Sequence, residues 1–189
     1  MKRIVFYLVA IAMAGGMLAV TAPLSGHADE EAAPIYGVKL PAGYRDWPMI
    51  SIAQVGAPVN DIRAKLGNDT AMKAFRDGTR PFPDGTIIAR LAYQQVASEE
   101  SNKVIRAVAE QRGLPPEQIE KLLAGSFVAG PPTNVQFMVK DSKKYAATGG
   151  WGFAQFTNGK PDDEATHKTC FGCHAPAKDH DFVFTRYTP

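Results

Sequence analysis

The only two cysteines of the chain stand close to its C-terminus, in Cys170-Phe171-Gly172-Cys173-His174. Two thiols separated by two residues, with a histidine directly after the second, form the attachment pattern of a c-type haem. Each S–H can add across one haem vinyl group, and the adjacent imidazole reaches the iron. The same pair has other uses: a disulfide, a redox Cys-x-x-Cys pair, or half of a zinc site. Zinc would need two more soft ligands, and the other histidines are His27, His167 and His180. A thioredoxin-like pair opens a helix early in a βαβ unit, whereas this one lies near the chain end. The spacing therefore favours one covalent haem c, with Cys170 and Cys173 as thioethers and His174 as the metal ligand.

The N-terminus bears on the compartment. Lys2 and Arg3 lead into the apolar run Ile4 to Val20, and small residues around Gly26-His27-Ala28 give way to Asp29-Glu30-Glu31. This reads as a secretory signal peptide over residues 1–28, cut after Ala28, with Ala22 as the alternative site. An uncleaved anchor is the competing reading, because the run is nearly long enough to span a bilayer. Ala12, Ala14, Gly15 and Gly16 dilute it. Haem is attached to c-type cytochromes outside the cytoplasm, so leader and motif support each other and point to the periplasm. Removing the leader takes away two of the 21 basic residues and none of the 19 acidic ones. The balanced remainder offers no basic surface for nucleic acid. Its length, about 160 residues, is that of one domain.

Residues 29–43 contain Pro34, Gly37, Pro41 and Gly43 without apolar periodicity and read as an extended N-terminal arm. The haem domain is expected over residues 44–189. Period-two alternation predicts strands from Pro48 to Gln54, Asp61 to Leu66, Thr86 to Val96, Asn134 to Lys140 and Trp151 to Thr157, with a short terminal strand from Asp181 to Tyr187. In the first of these, Met49 and Ser51 oppose Ile50 and Ile52. Asn68 or Asp69 caps a short helix that Gly78 ends. The run Arg80-Pro81-Phe82-Pro83-Asp84-Gly85 is a turn. Ser98 caps one helix and Pro115-Pro116 opens another, giving a helical hairpin over residues 98–125 with a solvated charged face. Gly130-Pro131-Pro132 reads as a linker, and the stretch from Asn158 to Thr169 as a polar loop. The fold class is α+β, mainly β: an antiparallel sheet with short helices, a helical hairpin insertion and a C-terminal c-type haem attachment segment. Arg90 is a charge in the middle of an apolar strand, facing either solvent or a ligand pocket. Arg63 reads as a solvated edge charge. Gly152 and Ala154 leave room for something flat, a haem or a closely packed helix.

Several blocks carry a resemblance in their order along the chain: Tyr44-Arg45-Asp46-Trp47, Phe82-Pro83-Asp84-Gly85-Thr86, Val139-Lys140-Asp141-Ser142-Lys143, Gly149-Gly150-Trp151-Gly152-Phe153, and Cys170 to Lys178 with Phe182-Val183-Phe184-Thr185-Arg186. The chain resembles the cytochrome P460 family over nearly all of its mature length except the helical hairpin. The resemblance implies a mostly antiparallel β fold, often a homodimer, with one c-type haem and an open sixth position. Some members oxidise hydroxylamine or process nitric oxide in the periplasm, and the related β-type cytochromes c-prime bind small gases beneath aromatic side chains. In the hydroxylamine oxidisers a lysine four residues after the Asp-Gly-Thr turn bonds to the haem edge, and a pocket glutamate relays protons. Here Arg90 holds the lysine position and Gln136 the glutamate position. A guanidinium stays protonated and is a poor nucleophile, and an amide takes up no proton at neutral pH. The resemblance also moves Arg63 into the pocket.

The expectation is thus a periplasmic mono-haem cytochrome that binds or redox-processes a small nitrogen species. Arg90, Gln136 and Arg63 would form its distal pocket, Phe75, Phe82 and Phe156 are candidates for an aromatic cap, and a periplasmic redox partner is implied. One alternative is a six-coordinate electron carrier using Met138, Met49 or Met72. Another is a hydroxylamine oxidase, whose haem cross-link from Lys73, Lys140 or another lysine is expected to be absent.

Overall fold

Six strands laid down in chain order form one antiparallel sheet: β1 (Met49–Val55), β2 (Asp61–Gly67), β3 (Ile87–Val96), β4 (Val128–Lys140), β5 (Trp151–Thr157) and β6 (Lys160–Pro161). A computed structural model describes residues 31–188, so the expected leader lies outside the described residues. Four helices accompany the sheet: α1 (Asp69–Asp77), α2 (Glu99–Gln111), α3 (Pro116–Ala124) and α4 (Glu164–His174). The chain is α+β and mainly β. No helix among the described residues is long and apolar enough to cross a membrane.

Alternation sorts the side chains onto two faces. The back face buries Leu66, Ala89, Leu91, Val135, Phe137, Ala154 and Phe156 beneath Tyr145 and the N-terminal residues Ala33, Val38 and Tyr44. Those N-terminal residues do not run straight. Ala33 N–H donates to the Val38 carbonyl (2.8 Å) and Gly37 N–H to that of Ala33 (2.9 Å), folding the segment into a tight turn against the sheet. The front face packs Ile88, Met138, Trp151 and Phe153 against Met72 and Phe75 of α1 and against the C-terminal segment.

One side chain ties the start of helix α1 to the sheet. Asn68 Oδ1 accepts from Ala71 N–H and from Ile87 N–H, both at 3.0 Å, while Nδ2 donates to the Gly85 carbonyl at 2.8 Å. Asn68→Ala is expected to cost about 2 kcal/mol, the upper end for a lost N-cap, because β3 loses a partner as well. Chemical denaturation would measure it.

Four further segments depart from the sequence reading. A bulge between Met49 and Ser51 turns both Ile50 and Ser51 inward and leaves Ile52 exposed, so β1 does not alternate as expected. Gly130-Pro131-Pro132 lies inside β4, where the register with β3 shifts and β5 does not reach, so the missing proline N–H groups cost little. The expected loop from Asn158 to Thr169 contains β6 and the start of α4. Asp163 caps that helix through Thr166 N–H (2.8 Å). The fully buried His167 bolts it to β5, accepting Gln155 N–H at Nε2 (3.0 Å) and donating from Nδ1 to the Asp163 carbonyl (2.7 Å). The stretch from Asp181 to Tyr187 is not a strand. It opens with two residues at positive φ, Asp181 (53°) and Phe182 (63°), which no β ladder accepts.

The helical hairpin of α2 and α3 closes on Ala109, Ile119 and Leu123. Its outer side carries exposed Val104, Val108 and Leu122 besides the charges expected there.

Candidate haem site

Helix α4 presents its chemistry at its last turn. Cys170, Cys173 and His174 are spaced i, i+3 and i+4, which places them on one side of the helix. Both cysteines are free, so they form no disulfide; Cys170 is half-buried and Cys173 exposed. Burial, with Cys173 adding to it, pushes the Cys170 thiol pKa upward, so it stays protonated at neutral pH. No group of three or more His, Cys, Asp or Glu side chains comes together among the described residues.

His174 is oriented from both sides. Its ring lies 5.0 Å from that of Phe153 and 5.1 Å from that of Phe184. Nδ1–H donates to the Phe182 carbonyl at 2.8 Å, leaving Nε2 unengaged. Burial lowers the imidazole pKa. The Phe182 carbonyl opposes that shift and the charge of Arg90 adds to it. The ring is therefore neutral at pH 7, the form that ligates a metal.

A cavity of about 460 Å³ lies against this ring, lined by Cys173, His174, Arg63, Lys65, Arg90, Gln136 and Met138 among others. Its polar floor is a row of register partners, Lys65, Arg90 and Gln136, which Gln155 continues on β5 outside the cavity. Arg90 Nη2 donates to Asn134 Oδ1 (2.7 Å), Nη1 lies 4.0 Å from Asp61 Oδ2, and the buried Nε–H has no acceptor. Burial, reinforced by Arg63 and opposed by Asp61, brings the Arg90 pKa down to about 10, so the group is still cationic at neutral pH. Arg63 Nε reaches both Asp61 oxygens at 2.9 Å. Burial, then the neighbouring Arg63 and Arg90, lowers the Lys65 pKa. Asp61 thus pairs with both guanidiniums, and Lys65 is a third cation beside them. Gln136 Nε2 donates to Gln155 Oε1, and Gln155 Nε2 donates to Asp162, a relay that fixes the Gln136 amide at the edge of the cavity it lines.

The structure brings Arg63, Arg90, Gln136, Cys173 and His174 to one place, and Met138 joins them. It does not bring the proposed aromatic cap. Phe156 belongs to the back face, and Phe75 and Phe82 stack edge-on in the front core beneath Arg80 rather than lining the cavity. Met72 is buried in that same core and Met49 is half-exposed on β1. Sequence reasoning missed Lys65, Asp61 and Phe182. The alternation Asp61-Ile62-Arg63-Ala64-Lys65 carried the signal for the first two, since it puts three charges on one face of a strand.

The sequence profile of the Cytochrome P460 family matches residues 41–185, most of the chain. This chain belongs to the cytochrome P460 family. No curated protein matches it. Family membership makes this a haem-binding cytochrome, and the cavity fits that group. The unengaged Nε2 of His174 is of the type that ligates iron, and Ile88, Met138, Val183 and Phe184 offer apolar walls. The excess of two positive charges on the β2–β3 side suits the carboxylates of a porphyrin or an anionic ligand.

Proposed function

We propose that this P460 cytochrome is an exported periplasmic protein carrying one haem, joined through thioether bonds to Cys170 and Cys173 and ligated by His174. Its distal site binds or redox-processes a small nitrogen species of the nitric oxide or hydroxylamine class and exchanges electrons with a periplasmic partner. The observation that carries this reading is the position of Arg90 and Gln136, a guanidinium and an amide that are register partners side by side on the floor of the cavity that His174 borders. When bound, haem supplies an iron that can coordinate such a ligand and pass single electrons. The chain's own residues do the rest. Arg90 stabilises negative charge on a ligand atom without giving up its proton, and Gln136 accepts a hydrogen bond but relays no proton. Asp61 holds both guanidiniums apart and in place.

Optical spectra of the oxidised and reduced protein, with and without nitric oxide, test the proposal. A new nitric oxide band is expected. A six-coordinate low-spin spectrum that ignores nitric oxide and carbon monoxide would instead favour ligation by Met138, the one of the three candidate methionines that lines the cavity. Mass spectrometry of the haem peptide is expected to show no added lysine link. Lys140 is engaged by Asp181 and Lys73 by Asp77, which makes the cavity-lining Lys65 the lysine to watch. Arg90→Leu is expected to weaken hydroxylamine binding roughly ten- to hundredfold in an optical titration, the worth of one charge-assisted hydrogen bond.

A further inference from the structure

Behind His174 lies a buried ion pair that ligand binding does not use. Asp181 Oδ1 receives Lys140 Nζ at 2.7 Å, and its Oδ2 receives Phe82 N–H at 2.7 Å. The two side chains are only 6% and 9% exposed. Lys140 Nζ also donates to the Gly149 carbonyl (3.0 Å) and lies 4.9 Å from the Trp151 ring centroid. One carboxylate thus ties together the end of β4, the turn before β3 and the segment after the haem motif.

The residue that follows the carboxylate is Phe182, whose carbonyl accepts the His174 Nδ1 proton. That carbonyl is held at three points. Asp181 is pinned through its carboxylate, Phe182 N–H donates to the Ala177 carbonyl at 2.8 Å, and the Phe182 ring fills the space left by the missing Cβ of Gly149. Two consecutive positive φ angles aim it at the imidazole, a conformation that the surrounding contacts must hold.

We propose that Lys140 and Asp181 are positioning residues for the iron ligand. By fixing the Phe182 carbonyl they set how strongly His174 Nδ1–H is hydrogen-bonded, and so how electron-rich the ligating nitrogen is. This rests on the haem reading above. A firmly held acceptor at Nδ1 makes the imidazole a stronger donor and favours the oxidised metal, so loosening the acceptor raises the reduction potential.

The reduction potential of the haem-loaded protein is the readout. Asp181→Asn alone both loosens the carbonyl and removes a negative charge, and each change raises the potential. The double variant Lys140→Met with Asp181→Asn replaces a neutral pair with a neutral pair, which isolates positioning and leaves no lone buried charge to prevent folding. It is expected to favour the reduced form about tenfold at a fixed applied potential, a rise of about 59 mV for one electron. Asn68→Ala, which loses bonds to Ala71, Ile87 and Gly85 but none to Asp181 or Phe182, is the stability control and is expected to leave the potential unchanged. A double variant that titrates at the wild-type potential overturns the proposal. So does an equal rise in Asn68→Ala, which would make the effect one of general loosening. A wild-type protein with no haem iron to titrate overturns the proposed function itself, a distinguishable failure.

Discussion

Replacing both Cys170 and Cys173 with alanine is expected to make the haem fully extractable into acidified organic solvent, whereas the wild-type protein retains it in the polypeptide. The expectation comes from where α4 puts the two sulfurs. One turn of helix separates them on the side that also carries His174, so two vinyl groups of one macrocycle can meet them while Nε2 reaches the metal. The fold itself has little stake in either thiol. Cys173 is exposed, and Cys170 is half-buried with only a weak S–H contact of 3.8 Å to the Thr166 carbonyl. Losing both is therefore expected to cost less than about 1 kcal/mol, within the range of substitutions that leave no large cavity. The experiment separates covalent attachment from haem binding, because the variant keeps His174 and the cavity. If haem is as extractable from the wild type as from the variant, the thioether reading is wrong.

How much of this was written in the sequence depends on the range over which each signal acts. Strands β2, β3 and β5 were legible because alternation is local and each has a buried face. The cap at Asn68 and the stop at Gly78 were legible because they depend on a few adjacent residues. The haem motif needed only five consecutive residues. Longer-range features were hidden. Asp163 and His167 read as loop residues because the helix they start is amphipathic only weakly, and its anchor is a single buried imidazole facing a strand backbone. The stretch from Asp181 to Tyr187 alternates well, yet Asp181 is committed to Lys140, forty-one positions away, and that pairing overrides strand propensity. In the site, Arg90 stood out as a charge inside an apolar strand and Gln136 through a resemblance, whereas their neighbour Lys65 needed the β2–β3 register to set it beside Arg90. The aromatic cap failed for a related reason. Phe156 has the right chemistry but the wrong parity, since Val135 and Phe156 pair on the back face while Gln136 and Gln155 pair on the front.

The glycines of the Gly149-Gly150-Trp151-Gly152 run provide the second large effect, and they revise the idea that Gly152 leaves room for a haem. A Cβ at Gly152 would lie closer than 3 Å to the ring of Tyr145, which covers the back face and donates its hydroxyl to the Tyr36 carbonyl at 3.0 Å. A Cβ at Gly149 would lie closer than 3 Å to the ring of Phe182, and there φ is also +68°. Gly152→Ala is thus an overpacking substitution on the face away from the haem cavity, expected to cost about 1–3 kcal/mol. Gly149→Ala adds to a similar clash the strain of a side chain in the left-handed region, about 1–2 kcal/mol more. For a domain of this size the melting temperature falls by about 3 °C per kcal/mol, so drops of roughly 3–9 °C and 6–15 °C are expected. The two differ more sharply in the spectrum of the iron. Gly152→Ala pushes on Tyr145 and the N-terminal turn, and the folded protein keeps its wild-type haem bands. Gly149→Ala pushes on Phe182, whose carbonyl holds His174, so its haem bands shift even in the folded fraction. Equal spectra from the two variants would mean that the Phe182 ring can give way without moving its carbonyl, and the close fit at Gly149 would then serve stability alone.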